Sequence, residues 1–174
     1  MYLLKILRFF VVGISMILAL EVQAKDAKLP SGWRNPTAQE LSDSWRANSL
    51  SKYSEILADL RGDGEQDRAL LLMSRQRDSF ALFIHLAYRG RNSTWVKVIE
   101  TSGRQNFRGM GIELVVPGKY KTACGKGYDS CRKGDPMEIS TTLPIINLFK
   151  TESANSYVYF DAQSNIFRTV WMSD

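Results

Sequence analysis

Apolar runs separated by short polar turns dominate the chain after residue 53. Two runs, residues 69–73 and 80–88, are apolar at successive positions, so both faces of a strand built from them would be apolar. Strands covered on both sides of a sheet have this pattern. Shorter strand-like segments follow at hairpin spacing. The predicted strands are 55–60, 69–73, 80–88, 94–101, 112–116, 138–141, 157–161 and 166–172.

One helix is predicted before the strands. Thr37 and Glu40 have the spacing of a capping box, and Leu41 and Trp45 share one helix face, which indicates a helix over 38–48. No long helices alternate with the strands, so a parallel sheet is disfavoured. The predicted fold is α+β and mainly β, an antiparallel meander sheet or sandwich with one N-terminal helix. A polar lead-in over 25–36 would precede a single mainly-β domain over 37–174.

The first 24 residues are typical of an export signal. Lys5 and Arg8 precede a 12-residue apolar run, and Val22 and Ala24 supply small side chains at a cleavage site. Twelve helical residues span about 18 Å, short of a bilayer core of about 30 Å. We therefore expect a signal peptide over 1–24 that is cleaved after Ala24. The mature protein would be periplasmic or secreted, with no stable membrane anchor.

The chain has two cysteines, Cys124 and Cys131, in a Lys- and Gly-rich segment. In an oxidising compartment, two thiols this close predict a local disulfide. A crosslinked loop is ordered before binding, which lowers the entropic cost of recognition. The expected contacts of such a recognition loop are Lys121, Lys126, Tyr128 and Asp129. The alternative is a surface loop that binds nothing.

Residues 59–67 carry carboxylates at the spacing of a cation loop, with a Gly at the sixth position. The stretch resembles the calcium loop of FG-GAP and VCBS repeats, which implies a possible calcium site formed by Asp59, Asp63, Glu65 and Asp67. The third ligand position, however, holds Arg61. Arg61 could instead pair with the aspartates and give a metal-free turn.

Arginines are concentrated in two predicted turns. In an up-and-down meander, successive turns alternate between the ends of a sheet, so the 75–77 turn and the 104–108 loop would lie at one end. Arginine's planar fork suits carboxylate and phosphate partners. The residues of this candidate basic surface are Arg75, Arg77, Arg104 and Arg108. The alternative is that these turns are charged because they are solvated.

Little in the chain supports catalysis. His85 is the single histidine, which excludes mechanisms that need two imidazoles, and no G-x-S-x-G motif is present. A glycosidase-like carboxylate pair could come from the glutamates, but nothing in their spacing fixes two of them together. Those glutamates are Glu100, Glu113, Glu138 and Glu152. We therefore predict a protein that is not an enzyme, with a hydrolase as an alternative.

The formal net charge is +5 at pH 7. In an exported protein, this favours an acidic protein surface as partner and disfavours nucleic acid. The ACGKGY and ESANS segments and the aromatic C-terminus resemble small exported proteobacterial proteins without a characterised activity, so no catalytic residues are implied. The predicted function is a periplasmic protein-binding or inhibitor protein, and its most specific version is an immunity protein against a secreted toxin. A calcium-stabilised structural or envelope-associated domain is the alternative.

Overall fold

The computed structural model describes residues 28–173, so the predicted signal peptide lies outside the described residues. Strands are the main regular structure of the described chain, and helical structure is confined there to short 3-10 turns. The strands are β1 (Trp33–Arg34), β2 (Glu55–Ala58), β3 (Asp67–Ser74), β4 (Ser79–Leu86), β5 (Thr94–Ser102), β6 (Met110–Val115), β7 (Gly118–Lys121), β8 (Glu138–Thr141), β9 (Ile145–Lys150), β10 (Asn155–Asp161) and β11 (Ile166–Ser173).

The strands form two larger sheets and a hairpin. The first sheet has the order β1-β3-β4-β5, with β2 also paired to β3, and the second has the order β11-β10-β9-β6. β7 and β8, which lie between β6 and β9 in the sequence, form a separate two-stranded sheet. All pairings are antiparallel. The predicted mainly-β antiparallel architecture is confirmed.

The larger core cluster contains residues of both larger sheets. Alternate residues of β4, including Leu82 and Ile84, are buried there with Ile146 and Val158 of the second sheet. The intervening residues, including Phe83, belong to a second cluster that Trp33 and Leu29 pack against. All eight residues of β4 are buried. The double burial predicted from its apolar pattern is therefore confirmed.

The predicted helix over 38–48 is wrong, although its capping box forms. Thr37 N donates to Glu40 Oε2 at 2.7 Å, and Glu40 N donates to Thr37 Oγ1 at 3.2 Å. The chain then becomes extended at Asp43, and Ser44–Asn48 is a 3-10 turn. Trp45 and Arg46 in this turn bond to main-chain oxygens near β6 instead of extending a helix. These tertiary contacts replace the helix that the local pattern favours.

Three strands lie outside the predicted set: β1, β7 and β9. β9 pairs with both β6 and β10 and is the most buried strand of the second sheet. Its short apolar run, interrupted by Asn147, does not distinguish a strand from a buried helical turn. None of the helical segments within residues 28–173 is long and apolar enough to cross a membrane.

Candidate functional site

Cys124 and Cys131 are joined by a disulfide, which confirms the predicted pairing. Their Cα atoms lie 5.0 Å apart across a sequence separation of 7 residues. The crosslink closes residues 124–131, here called the disulfide loop, between β7 and β8. The loop is mostly exposed, but the residues immediately before it are buried.

The disulfide loop is fixed to β11 of the second sheet. Ala123 N donates to Trp171 O at 3.0 Å, and Lys126 Nζ donates to Met172 O at 2.9 Å. Buried Thr122 donates its hydroxyl to Pro136 O at 2.8 Å, which ties the start of the loop to the segment that returns to β8. Main-chain bonds and the crosslink therefore hold the base of the loop from two sides.

The predicted recognition residues lie on the exposed side of this base. Lys126, Tyr128 and Asp129 share the disulfide loop, whereas Lys121 ends β7. Tyr128 is 65% exposed, and Lys126 Nζ lies 5.7 Å from the centroid of its ring. Cation–π contact at this distance favours one orientation of the ring. The loop thus presents a large aromatic side chain to solvent from an anchored base.

A groove of about 420 Å³ lies between the disulfide loop and the second sheet. Tyr159, Arg168 and Thr169 line its sheet side, and Arg132 lines its loop side. Burial raises the pKa of the Tyr159 hydroxyl. Asp129 and Asp135 also line it, so the groove combines aromatic, hydroxyl, guanidinium and carboxylate groups beside the loop.

Arg168 in this groove is held by a carboxylate. Its Nε donates to Asp161 Oδ2 at 2.6 Å. Hydrogen bonds from the Ser164 hydroxyl and from Arg168 lower the pKa of Asp161 to about 2. Arg132, by contrast, makes no ion pair within residues 28–173.

The two arginine-bearing segments of the predicted basic surface lie at the same end of the first sheet. Arg104 Nη2 donates to Ser74 O at 2.7 Å and to Arg77 O at 2.9 Å, which joins the 104–108 segment to the 75–77 turn. The remaining guanidiniums also have internal partners: Arg75 with Trp33 O, Arg77 with Glu100 and Arg108 with Asp43. These side chains connect loops to the fold, so they offer less free donor capacity than the disulfide loop.

In the predicted calcium loop, Asp59 serves as a turn acceptor. Its carboxylate accepts hydrogen bonds from the main-chain N–H groups of Gly62, Asp63 and Gly64 at 2.7, 3.1 and 2.9 Å. Gly64 has a positive φ of 82°, which glycine adopts without strain. The side chain of Asp59 therefore supplies the hydrogen-bond acceptors for three main-chain N–H groups of its own turn.

Arg61 pairs with two of the remaining carboxylates of that loop. It bonds to Asp63 at 2.8 Å and to the fully buried Asp67 at 2.9 Å. Glu65 pairs with Arg89, in the turn after β4, at 2.8 Å. Across residues 28–173, no group of three or more His, Cys, Asp or Glu residues is arranged to hold a metal ion. Arg61 thus pairs with two of the aspartates that were candidate calcium ligands.

The candidate catalytic groups are dispersed. His85 is buried on the first sheet, with its ring centroid 4.7 Å from that of Trp95, and burial lowers its pKa. The four candidate glutamates lie on β5, β6, β8 and the turn after β9. Glu100 pairs with Lys97 and accepts from Ser79, as expected of a surface network on β5.

Sequence reasoning missed Arg46, which is fully buried. Its guanidinium donates to Lys52 O, Phe107 O and Met110 O at 2.8, 2.8 and 2.7 Å. An arginine in a polar segment gives no signal of burial, because its acceptors are carbonyls from distant parts of the chain. Arg132 and Tyr159 were also missed, because the groove that they line forms only when the disulfide loop packs beside the second sheet.

No protein-family model, curated protein or solved structure matches this chain. The site must therefore be interpreted from its own geometry. The strongest feature is an anchored, crosslinked loop beside a groove that carries arginines.

Proposed function

We propose that this protein is an exported binding protein or inhibitor that recognises another protein through the disulfide loop. The observation that carries the proposal is that the base of the loop is bonded to Trp171 and Met172 while Tyr128 remains 65% exposed. Aromatic side chains held on a rigid base are common anchors of protein interfaces. The proposed contacts are Lys121, Lys126, Tyr128 and Asp129.

The proposed partner has an acidic surface. The segment from β7 to β8 carries five cationic side chains, Lys119, Lys121, Lys126, Arg132 and Lys133, against three acidic ones, Asp129, Asp135 and Glu138. A basic excess of this kind steers association with an acidic partner and speeds the encounter. The sharpest version of the proposal is an immunity protein that blocks a secreted bacterial toxin in the periplasm.

The disulfide favours an oxidising compartment, in line with the proposed export and cleavage after Ala24. The second candidate surface, the arginines at the end of the first sheet, is less suited to recognition. Arg104, for example, already donates to two carbonyl oxygens. We therefore place the interface on the disulfide loop.

The proposal is tested by affinity capture from a native envelope extract. The full chain is exported through its own leader with a tag between Ala24 and Lys25. Lys28, close to this position in the sequence, accepts a hydrogen bond at its main-chain oxygen from Trp95 Nε1 on the first sheet. We expect one stoichiometric protein, identified by mass spectrometry, that the triple variant K121A/K126A/Y128A fails to retain.

The matched control is K150A, which removes one exposed lysine at the end of β9 and should retain the partner. A wild-type protein that retains nothing would overturn the proposed function. A partner that the triple variant retains as well as wild type would remove the disulfide loop from the interface.

A further inference from the structure

The edge of β11 beside the disulfide loop has main-chain groups without partners. β9 and β10 pair so that Lys150 N donates to Ala154 O. In this register the main-chain N–H and C=O groups of Ser156 and Val158 on β10 point towards β9. In an antiparallel sheet, successive residues of a strand direct their main-chain groups to opposite sides, so the residues that alternate with these two bond to the strand on the other side of β10. β10 therefore bonds to β11 through Tyr157, Tyr159 and Asp161, opposite Val170, Arg168 and Ile166.

The residues that alternate with these on β11, Phe167, Thr169 and Trp171, direct their main-chain N–H and C=O groups away from β10. One of these groups, Trp171 O, accepts Ala123 N at 3.0 Å, which shows that this edge faces the disulfide loop. The groups of Phe167 and Thr169 have no such partner within residues 28–173. The edge of β11 is thus occupied at Trp171 and open at Thr169 and Phe167.

The groove provides space beside this open edge. Thr169 is exposed and lines the groove of about 420 Å³. β5 of the first sheet approaches β11 to within 8 Å between Cα atoms but does not pair with it in the described chain. An added strand would lie about 4.8 Å from β11. It would therefore run along the groove, with the disulfide loop beside it.

We propose that a partner protein adds an extended, acidic segment to the open edge of β11, in the groove beside the disulfide loop. This inference rests on the proposed function and identifies the part of the partner that the site would bind. Main-chain bonds to Phe167 and Thr169 supply affinity in such strand addition, and side chains at alternate positions supply specificity.

The charge beside the groove favours acidic side chains in the added segment. Asp129 and Asp135 line the groove together with Arg132 and Arg168, but the β7–β8 segment on this side carries five cationic side chains against three acidic ones. Arg168 points to the face of β11 opposite Phe167 and Thr169, and its side chain remains 48% exposed despite the bond to Asp161. Arg132 lines the facing side of the groove and makes no ion pair within residues 28–173. Carboxylates at every second position of the added strand would face these two guanidiniums and could accept paired hydrogen bonds.

Proline at position 169 tests the edge directly. Thr169→Pro removes an N–H that points away from β10, and proline is tolerated at such edge positions. Thr169→Ala is the matched control, because it removes the side chain and keeps the N–H. Thermal unfolding of both variants establishes that the sheet is intact before binding is measured.

The probe is a displayed library of random peptides of about ten residues, long enough to span a strand. Selection on the wild-type chain should enrich peptides with acidic residues at alternate positions. Their dissociation constants should rise about tenfold or more in T169P and change little in T169A, as expected for a lost main-chain bond within a short strand. Bound peptide should also slow amide exchange at Phe167 and Thr169 in the wild-type chain, a readout that does not depend on T169P folding.

The inference is overturned if no peptide is enriched, or if enriched peptides bind T169P as well as T169A and leave those amides unprotected. The proposed function fails separately, when envelope capture yields no partner. A captured partner that is lost in K121A/K126A/Y128A but bound normally by T169P would leave the loop as the interface and exclude strand addition.

Discussion

The guanidinium of Arg61 holds the carboxylate of Asp67, with Nη2 and Oδ1 2.9 Å apart and a second bond from Nε to Oδ2 at 3.1 Å. Asp67 is fully buried at the start of β3, and its Oδ1 also accepts Ala87 N at 3.0 Å. Arg61 also lies over the ring of Tyr88, 4.4 Å from the centroid. One ion pair thus joins the turn before β3 to the end of β4.

Removing Arg61 should leave a buried carboxylate without its charge partner. We expect R61A to lower the free energy of unfolding by about 3 to 5 kcal/mol, as for other buried pairs that lose one member. The measurement is urea unfolding at neutral pH. The control is R91A, which removes an exposed arginine that makes no ion pair within residues 28–173. A loss below about 1 kcal/mol for R61A would show that the pair is worth no more than a surface ion pair.

The ion pairs of Arg61 also oppose calcium binding to this turn. Asp63 and Asp67 could both bind calcium only after Arg61 leaves them, and that step would leave a guanidinium uncompensated. We therefore expect millimolar calcium to leave the melting temperature of the wild-type chain unchanged. Calcium titration by calorimetry, with magnesium as control, checks this. A saturable stabilisation by calcium alone would instead support the calcium-stabilised alternative.

Sequence pattern predicted those parts of the fold that depend on local chemistry. β3 and β4 were recognisable because burial on both faces requires continuous apolar runs, and the disulfide was recognisable from cysteine spacing and the predicted export. The 38–48 helix failed because Trp45 and Arg46 bond to residues about 60 positions away, near β6. The open edge of β11 could not be predicted, because it depends on the register of three paired strands.

Arg46 should be among the most sensitive positions in the core. Its three carbonyl acceptors come from three segments, and burial lowers the pKa of its guanidinium. We expect R46L to lower the free energy of unfolding by about 3 kcal/mol or more, because each buried carbonyl left without a donor costs about 1 to 3 kcal/mol. Urea unfolding, compared with the exposed R132L, measures the effect. A change within about 1 kcal/mol of wild type would show that water replaces the guanidinium without loss.

His85 should make stability depend on pH in a narrow window. Burial, followed by the charge of Arg68, lowers the pKa of the imidazole in the folded protein. Well above the ordinary imidazole pKa of about 6.5, the ring is neutral in both the folded and the unfolded state. As the pH falls below that value, the unfolded chain takes up a proton that the folded chain resists, so stability decreases. The melting temperature should therefore fall between about pH 7.5 and pH 5.5.

The variant H85Q isolates this effect, because His85 is the single histidine. Its melting temperature should be nearly flat over the same window. Glu40 and Asp161 do not interfere: their pKa values of about 2 place the loss of their contribution at lower pH, below the ordinary pKa of a carboxyl group. Equal pH dependence in wild type and H85Q would assign the effect to another group.

Gly125 should be essential for the position of the disulfide loop. A Cβ atom built there would lie 1.8 Å from Met137 O and 2.7 Å from its carbonyl carbon. That oxygen accepts both the N–H and the hydroxyl of Thr122, at 3.0 and 3.1 Å. G125A must therefore move the main chain at Met137 and weaken both bonds. We expect a loss of about 1 to 3 kcal/mol in unfolding free energy, the usual range for an overpacked site.

The control for G125A is G127A in the same loop. Gly127 has a positive φ of 81°, and no atom lies within 4 Å of the Cβ position, so alanine there introduces backbone strain without a clash. Hydrogen exchange separates the two variants, because the amide of Thr122 should exchange faster in G125A and remain protected in G127A. If that amide stays protected in G125A, the close contact with Met137 does not hold the loop on its base. The loop would then depend on the disulfide and on the bonds to β11, and G125A should bind the partner as wild type does.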